Sequence, residues 1–304
     1  MTLGGFFSSG YTRRPAGLVG YLLTAYGAIF ILWSTYAAVF SRLDALVLVT
    51  LFLSFMLVLV FSTIAATSER PPDGGAVIPF YDWLFVSASV ACGLYFAFNS
   101  DSIATRITLL DPLSTIDVLF ASLLIILCLE VCRRTVGLLL TGIVICFMAY
   151  NLYGHVLPTP FGHGYISYEH FLDIMIFTTD GLFGTPLRVA ATYVLLFVLF
   201  GTFLANAGGG EFFNNLAASV AGARVGGPAK IAVVSSGLYG TISGSPTSDV
   251  VTTGSITIPM MKKIGYPATV AGAVEVAAST GGSILPPVMG SAAFIMAEYT
   301  GIPY

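Results

Sequence analysis

Long apolar tracts separated by short polar links dominate the chain and predict membrane-spanning helices. Each tract approaches the ~20 residues that a helix needs to cross a bilayer. Alternating segments of ~10 residues, typical of transmembrane β-strands, are missing from the sequence. The tracts cover 17–40, 43–67, 81–99, 116–132, 136–155 and 189–207. This pattern predicts an all-α integral membrane protein, a multi-span helical bundle.

The segment 226–263 predicts a re-entrant helical hairpin. Its arms, 228–242 and 246–260, would each extend ~22 Å at ~1.5 Å per residue, which is less than the ~30 Å hydrocarbon core. Gly244, between the arms, gives the backbone the freedom to reverse. Ser245 suits an N-cap and the proline after it the first helical position, so the second arm should begin there.

The segment 266–300 predicts a broken helix. A Gly-Gly-Ser triplet at 281–283 interrupts the apolar run, and two prolines at 286–287 exclude a continuous helix. Such a break would free the backbone carbonyls of 278–280 for a small cation. Glycine and proline are also tolerated in membrane helices for packing alone. Two breaks of similar composition, in arms too short to span, favour a binding site.

The exposed helix N-termini at the two breaks suit a carboxylate substrate, because the positive end of each helix dipole lies there. The substrate-binding candidates are Pro246, Thr247, Pro286 and Pro287.

Two acidic residues lie inside apolar segments, where a charge is costly and points to function. Glu275 would serve as a proton carrier or as a partner for a cation. The alternative is that it faces water or hydrogen-bonds to a neighbouring helix. Asp249, in the first turn after the hairpin tip, either complements the helix N-terminus or joins the ion site.

Composition and charge exclude several function classes. The chain is 56% hydrophobic and only 9% charged, and its net charge of -3 offers no basic surface for nucleic acid. No nucleophile, base and orienting group can be assembled on one side of the membrane, so an enzyme is not predicted. The three histidines lack metal spacing. We expect no cofactor and no metal beyond Na+.

The cations predict the orientation. With the N-terminus in the cytoplasm, most cations fall inside, in agreement with the positive-inside rule, provided that the segment 226–263 enters and leaves on one side. The inside set is Arg13, Arg14, Arg70, Arg133, Arg134, Arg224, Lys230, Lys262 and Lys263, and the outside set is Arg42, Arg106 and Arg188.

The run from 236 to 289 resembles the large membrane subunit of the tripartite ATP-independent periplasmic (TRAP) transporters. It contains SGLYGTISGSPTSDVVTTGSITIPMM and AASTGGSILPPVMG, which are similar to the family's first hairpin and the broken helix that follows it. The resemblance implies a small-subunit-like four-helix domain at 1–134, a connecting transmembrane helix at 135–155 and the N-terminal part of the large subunit at 156–304. This fused arrangement is similar to permeases that work with TAXI-type receptors.

The resemblance implies a permease of the bacterial inner membrane that imports a small organic acid, such as a dicarboxylate. A sodium or proton gradient would drive the import, and a periplasmic TAXI-type solute receptor would deliver the substrate to the permease. The hairpin-bearing domain would move as an elevator. The ion ligands that the resemblance implies are Ser243, Gly244, Ser245, Thr280, Gly281, Gly282 and Ser283.

Two alternatives stay open: a receptor-independent carboxylate symporter of related hairpin architecture, and a non-transporting membrane scaffold or assembly subunit. The family carries a second, inverted repeat with its own hairpin. Since this sequence ends after the first one, we expect it to be a fragment of a longer fused permease that does not transport alone.

Overall fold

The computed structural model describes residues 9–13, 15–40, 44–68, 77–178, 181–223, 225–286 and 288–302. The chain divides into two compact units, Met1–Arg188 and Val189–Tyr304. Within the described residues, all regular structure is helical apart from one isolated bridge between Thr12 and Ile64. The predicted all-α fold is therefore confirmed.

Six helices of the described residues are long and apolar enough to cross a membrane. They correspond to the six predicted tracts, with ends that differ by a few residues. These spans are Gly17–Phe40, Ala45–Thr63, Phe80–Phe98, Thr115–Thr135, Leu138–Val156 and Thr185–Asn206.

The first unit contains α1 to α7 and all of α8 except its last residue: α1 Gly17–Phe40, α2 Ala45–Thr63, α3 Phe80–Phe98, α4 Ser100–Thr105, α5 Thr115–Thr135, α6 Leu138–Tyr153, α7 Tyr168–Ile176 and α8 Thr185–Val189. Small residues allow α2 and α3 to pack closely. Ser54 donates its hydroxyl to the carbonyl of Ser89 at 2.9 Å, and Gly93 leaves space for the Ser54 side chain. Phe61 and Phe85 stack with ring centroids 4.9 Å apart.

A buried charge network closes one end of this unit. Arg13 lies 2.5 Å from one oxygen of Asp82, at the start of α3, and Arg134, at the end of α5, lies 2.7 Å from the other. Glu130 bridges Arg134 and Arg133, with nitrogen to oxygen distances of 2.7 Å. Every side chain here except Glu130 is buried. Three of the cations that the sequence places at span ends, Arg13, Arg133 and Arg134, are therefore structural members of a buried network.

A second ion pair lies at the opposite ends of α3 and α5. Arg106 is 2.9 Å from Asp173 of α7, whose other carboxylate oxygen accepts from the backbone of Leu109 at 2.7 Å. Arg13 and Arg134 at one end, with Arg106 at the other, agree with the predicted alternation of sides. The absolute orientation stays a prediction, and four of the cations used for it lie outside the described residues: Arg14, Arg42, Arg70 and Arg224.

The second unit contains the hairpin and the broken helix. After a π-helical turn at Ala190–Val194, it comprises α9 Leu195–Asn206, α10 Gly209–Ala221, α11 Gly227–Ser243, α12 Pro246–Thr252, α13 Gly254–Lys263, α14 Ala268–Gly282 and α15 Ser291–Thr300. Helix α11 is the first arm of the predicted hairpin, and α12 with α13 forms the second arm, divided at Thr253. Ala232, Met261 and Ala271 form a buried contact among the two arms and α14.

The break between α14 and α15 lies later than the sequence predicts. Helix α14 continues through Gly282, the described residues 283–286 and 288–290 are non-helical, and α15 begins at Ser291. Two adjacent glycines permit a break but do not force one. Proline lacks the N–H that a helix interior needs and disfavours a helical residue before it, so the chain is unwound as it reaches Pro286.

Candidate functional site

The hairpin tip is organised by hydrogen bonds among Ser243, Ser245 and Asp249. The Ser243 hydroxyl donates to Oδ1 of Asp249 and accepts from the backbone N–H of Ser245 at 3.1 Å. Ser245 is the N-cap of α12, where its side chain accepts from the N–H of Ser248 at 3.4 Å, and Pro246 occupies the first turn. The predicted start of the second arm is confirmed.

The tip contacts the break between α14 and α15. The N–H of Val288 donates to the carbonyl of Thr241 at 2.9 Å. Gly244 has a φ of +61°, and a Cβ added there would overlap the carbonyl oxygen of Met289. Both the left-handed backbone and the close approach require glycine at this position. The two predicted breaks are therefore neighbours within one compact unit.

Gly240 and Gly282 bring α11 and α14 into backbone contact. A Cβ built on Gly240 would lie 2.6 Å from the Cα of Gly282, and one built on Gly282 would lie 2.8 Å from the Cα of Gly240. Such approach is characteristic of small residues at membrane helix interfaces. Gly281, by contrast, is exposed, and a Cβ there would meet nothing within 4 Å.

The remaining candidates at the break are partly engaged in local hydrogen bonds. The Thr280 carbonyl accepts from the backbone N–H of Ser283 at 3.3 Å and from its hydroxyl at 2.8 Å. The Thr280 hydroxyl donates to the carbonyl of Val276 at 2.7 Å. Thr247 and Pro286 are exposed, and Pro287 lies outside the described residues. Their proposed ligand and substrate roles stay predictions.

Asp249 is a buried carboxylate with one unsatisfied oxygen. The residue is 0% exposed, and its Oδ2 has no hydrogen-bond partner in the part of the chain that the structure describes. That oxygen would lie 2.8 Å from a Cβ on Gly240 and 3.4 Å from one on Gly282. Asp249 thus points at the glycine contact between the first arm and the broken helix.

Glu275 is a second buried carboxylate of this unit, and it is also 0% exposed. Its Oε1 accepts from the hydroxyls of Ser236 and Thr253, both at 2.6 Å, and its Oε2 accepts from that of Thr257 at 2.5 Å. Ser279 lies at the limit of hydrogen bonding, 3.5 Å from Oε1. Of the alternatives that the sequence left open for Glu275, direct exposure to water is excluded.

These hydroxyl partners were not among the sequence-predicted site residues. The sequence spacing does indicate which of them share a helix face. Thr253 and Thr257 are four positions apart, as are Glu275 and Ser279. Their meeting across helices depends on the hairpin geometry. Among the described residues, no group of three or more His, Cys, Asp and Glu side chains could hold a metal ion.

A model of the family described as "Tripartite ATP-independent periplasmic transporter, DctM component" matches residues 123–304. The chain belongs to this family. The match of this DctM-family protein begins inside α5 and includes the hairpin and the broken helix in full. No curated protein and no solved structure matches the chain.

Family membership and the six spans make the protein a multi-pass permease of the inner membrane. The DctM component is a transporter subunit rather than an enzyme, and membership implies a periplasmic solute-binding receptor as partner. The hairpin tip and the break described above both lie within the matched residues.

Proposed function

We propose that this DctM-family protein is the membrane permease of a secondary active transporter that imports small organic acids such as dicarboxylates. A sodium or proton gradient drives the import, and a periplasmic TAXI-type receptor delivers the substrate. Transport proceeds by an elevator-type movement of the domain that carries the hairpin. The hairpin-bearing second unit, Val189–Tyr304, carries the substrate.

The observation that carries this proposal is the meeting of the hairpin tip with the broken helix. Gly240 contacts Gly282, where both residues are buried, and Gly244 lies against Met289, so the hairpin and the broken helix meet at two adjacent points. Interrupted helices expose backbone dipoles, which bind ions and charged substrates in transporters of similar architecture. Packing alone would also use glycine, but it does not account for a buried carboxylate directed at this point.

Asp249 supplies that carboxylate. No ion pair involving Asp249 or Glu275 occurs among the ion pairs of the described residues. A buried charge without a partner is costly, so each carboxylate needs a cation or a proton. This need supports coupling to a cation gradient and is not expected of an inert scaffold.

The ion ligands we propose lie on the two sides of this contact. Ser243, Gly244 and Ser245 contribute from the hairpin tip, and the segment 280–283 contributes from the break. The substrate carboxylate would bind at the N-terminal ends beside Pro246 and Thr247 on one side and Pro286 and Pro287 on the other. This assignment follows the dipole argument, since N-terminal helix ends attract anions.

The first four spans, within 1–134, would act as a fused small subunit, and the span at 135–155 as its connector. The division of the chain into two compact units, the second of which contains the whole hairpin, supports an elevator movement.

The test is uptake of labelled C4 and C5 dicarboxylates by the complete protein in proteoliposomes. Uptake is measured with and without the receptor, under an imposed sodium or proton gradient. We expect uptake that requires the receptor and one of the two gradients. Uptake without any receptor would instead support the receptor-independent symporter, and no uptake in any condition would support the scaffold.

A further inference from the structure

The hydroxyl groups around Glu275 each have a second acceptor within reach. The Thr253 hydroxyl lies 2.8 Å from the carbonyl of Asp249, and the Thr257 hydroxyl lies 3.0 Å from the carbonyl of Thr253. The Ser236 hydroxyl lies 2.9 Å from that of Thr253. Each hydroxyl has one proton, so it can donate either to Glu275 or to its second acceptor at any moment.

This arrangement accommodates two protonation states of Glu275 with the same heavy-atom positions. When Glu275 is ionised, Ser236, Thr253 and Thr257 can all donate to it. When Glu275 is protonated, it can donate to Thr257, whose own proton then turns to the carbonyl of Thr253. The added proton is absorbed by rotation of a hydroxyl hydrogen, and no buried polar atom loses its partner.

No positive side chain compensates Glu275 from the helices that pack around it. On α11 the only cation is Lys230, and on α13 the cations are Lys262 and Lys263; all three are exposed. The ionisable groups that face the same interior are Asp249 on α12 and Tyr239 on α11. Neither supplies positive charge, so on these helices the ionised state of Glu275 has hydroxyl donors but no counter-charge, and this favours uptake of a proton.

The packing favours a proton over a metal ion at this position. A bound cation must lie between its oxygen ligands, whereas three hydroxyl oxygens already lie at hydrogen-bond distance from the Glu275 carboxylate. The side chain is enclosed on the hairpin side as well. A Cβ on Gly254 would lie 3.0 Å from Cγ of Glu275.

We propose that Glu275, with Ser236, Thr253 and Thr257, forms a buried proton-binding site that joins both arms of the hairpin to the broken helix. A proton from water converts the carboxylate to the carboxylic acid, and its release to water restores the carboxylate. No oxidant, reductant or other reactant takes part. Because the hydroxyls belong to α11 and to the second arm, while Glu275 belongs to α14, the bound proton sits in the contact that holds these helices together.

This site deepens the proposed cation coupling, and it is separate from the ion ligands at the two breaks. Its test uses a spectroscopic signal instead of transport. Failure of the proton site would leave receptor-dependent uptake possible, and failure of uptake would leave the spectroscopic result intact.

The experiment is difference infrared spectroscopy of the complete protein in lipid nanodiscs, titrated with pH in H2O and in D2O. A protonated carboxylic acid gives a C=O stretching band that is absent from the carboxylate. We expect a component of this band that disappears as pH rises, shifts in D2O and is lost in Glu275→Gln, while the components from the other carboxylic acids remain. The band should persist in Asp249→Asn and in Glu211→Gln, which changes an exposed glutamate.

Three results would overturn the proposal: no such band in the wild type, an unchanged band in Glu275→Gln, or a band that sodium removes at constant pH. Thermal unfolding establishes whether Glu275→Gln is folded. If it is not, Thr257→Val and Ser236→Ala retain the carboxyl group and each remove one hydroxyl. The C=O band should then shift in both variants, and an unshifted band in both would equally overturn the assignment.

Discussion

Gly240 and Gly282 fix the spacing of the hairpin and the broken helix, because a Cβ on either residue would come within 2.8 Å of the other's Cα. This backbone contact lies beside the unsatisfied oxygen of Asp249 and one helical turn or so from the tip at Gly244. Gly240 and Gly282 therefore set both the packing of α11 against α14 and the geometry beside the proposed ion site.

The adjacent glycines of α14 provide a matched pair of substitutions. Gly282→Ala places a methyl group against backbone, which cannot move aside, and overpacking of this kind costs about 1–3 kcal/mol. Gly281→Ala meets nothing within 4 Å and replaces a poor helix former, so stability should be unchanged or rise by up to ~1 kcal/mol. Thermal unfolding midpoints in detergent distinguish the two variants. Equal midpoints would contradict the close contact between Gly240 and Gly282.

Loss of the Ser245 cap should weaken the second arm. Its side chain accepts from the N–H of Ser248, and replacing such an N-cap by alanine costs about 1 kcal/mol. Ser245→Ala should therefore lower the unfolding midpoint. Ser255→Ala is the control, because Ser255 is exposed and its hydroxyl bonds only within its own helix turn. A midpoint that falls equally in both variants would show that the cap contributes nothing specific.

Asp82 should be essential to the first unit. It lies between Arg13 and Arg134, and all three side chains are almost completely buried. Asp82→Asn keeps the volume but leaves two buried cations without that partner, and breaking a buried pair in this way costs about 3–5 kcal/mol. The free energy of unfolding measures the loss. Asp101→Asn, at an exposed position, should change it little, and a similar loss in both variants would refute the network's role.

His163 should make the first unit's stability depend on pH. The carbonyl of Tyr150, and then that of Gly164, raise the pKa of His163, because they face its two ring nitrogens at 2.9 and 2.7 Å. The folded protein therefore holds the proton more tightly than the unfolded chain. The resulting contribution to the free energy of unfolding is fully present below the unfolded-state pKa of about 6.5. It is lost as pH rises through the higher pKa of the folded state.

Unfolding midpoints between about pH 5 and 8 test this linkage, since an imidazole titrates in that range. His163→Ala should lose the part of the pH dependence that wild type shows above about pH 6.5. His155→Ala is the control, because only one of its ring nitrogens faces a carbonyl, that of Leu152 at 3.2 Å. Identical pH profiles for wild type and His163→Ala would refute the assignment.

The spans and the hairpin could be predicted from the sequence because bilayer thickness sets a length that local composition reveals. The tract 17–40 matches its helix residue for residue. The hairpin followed from arms too short to span, and Ser245 with Pro246 marked the start of the second arm. These signals are local, so no knowledge of tertiary contacts was needed.

Features that depend on distant partners could not be predicted in the same way. Asp82, Arg13 and Arg134 lie in three separate segments, and nothing local indicates that one carboxylate accepts both cations. The hydroxyls around Glu275 likewise come from helices whose register the sequence does not specify. The predicted break at 281–283 begins two residues early: Gly282 still belongs to α14, where it lies against Gly240, and this tertiary contact has no local signal in the sequence.

The central claim is that the hairpin tip, together with the break, couples transport to a cation. Ser243→Ala tests it most directly, because this buried hydroxyl bonds Asp249 and the Ser245 backbone. A hydrogen bond to a charged group is worth about 1.5–3 kcal/mol, which corresponds to a loss of roughly tenfold or more in the affinity for the driving cation.

The measurement is initial uptake of labelled dicarboxylate, with receptor, as a function of the driving cation. Ser248→Ala, an exposed serine of the same turn, is the control, and unfolding midpoints establish that both variants are folded. The account predicts that Ser243→Ala raises the cation concentration needed for half-maximal uptake at least tenfold, while Ser248→Ala leaves it unchanged. An unchanged cation dependence in folded Ser243→Ala would contradict the account.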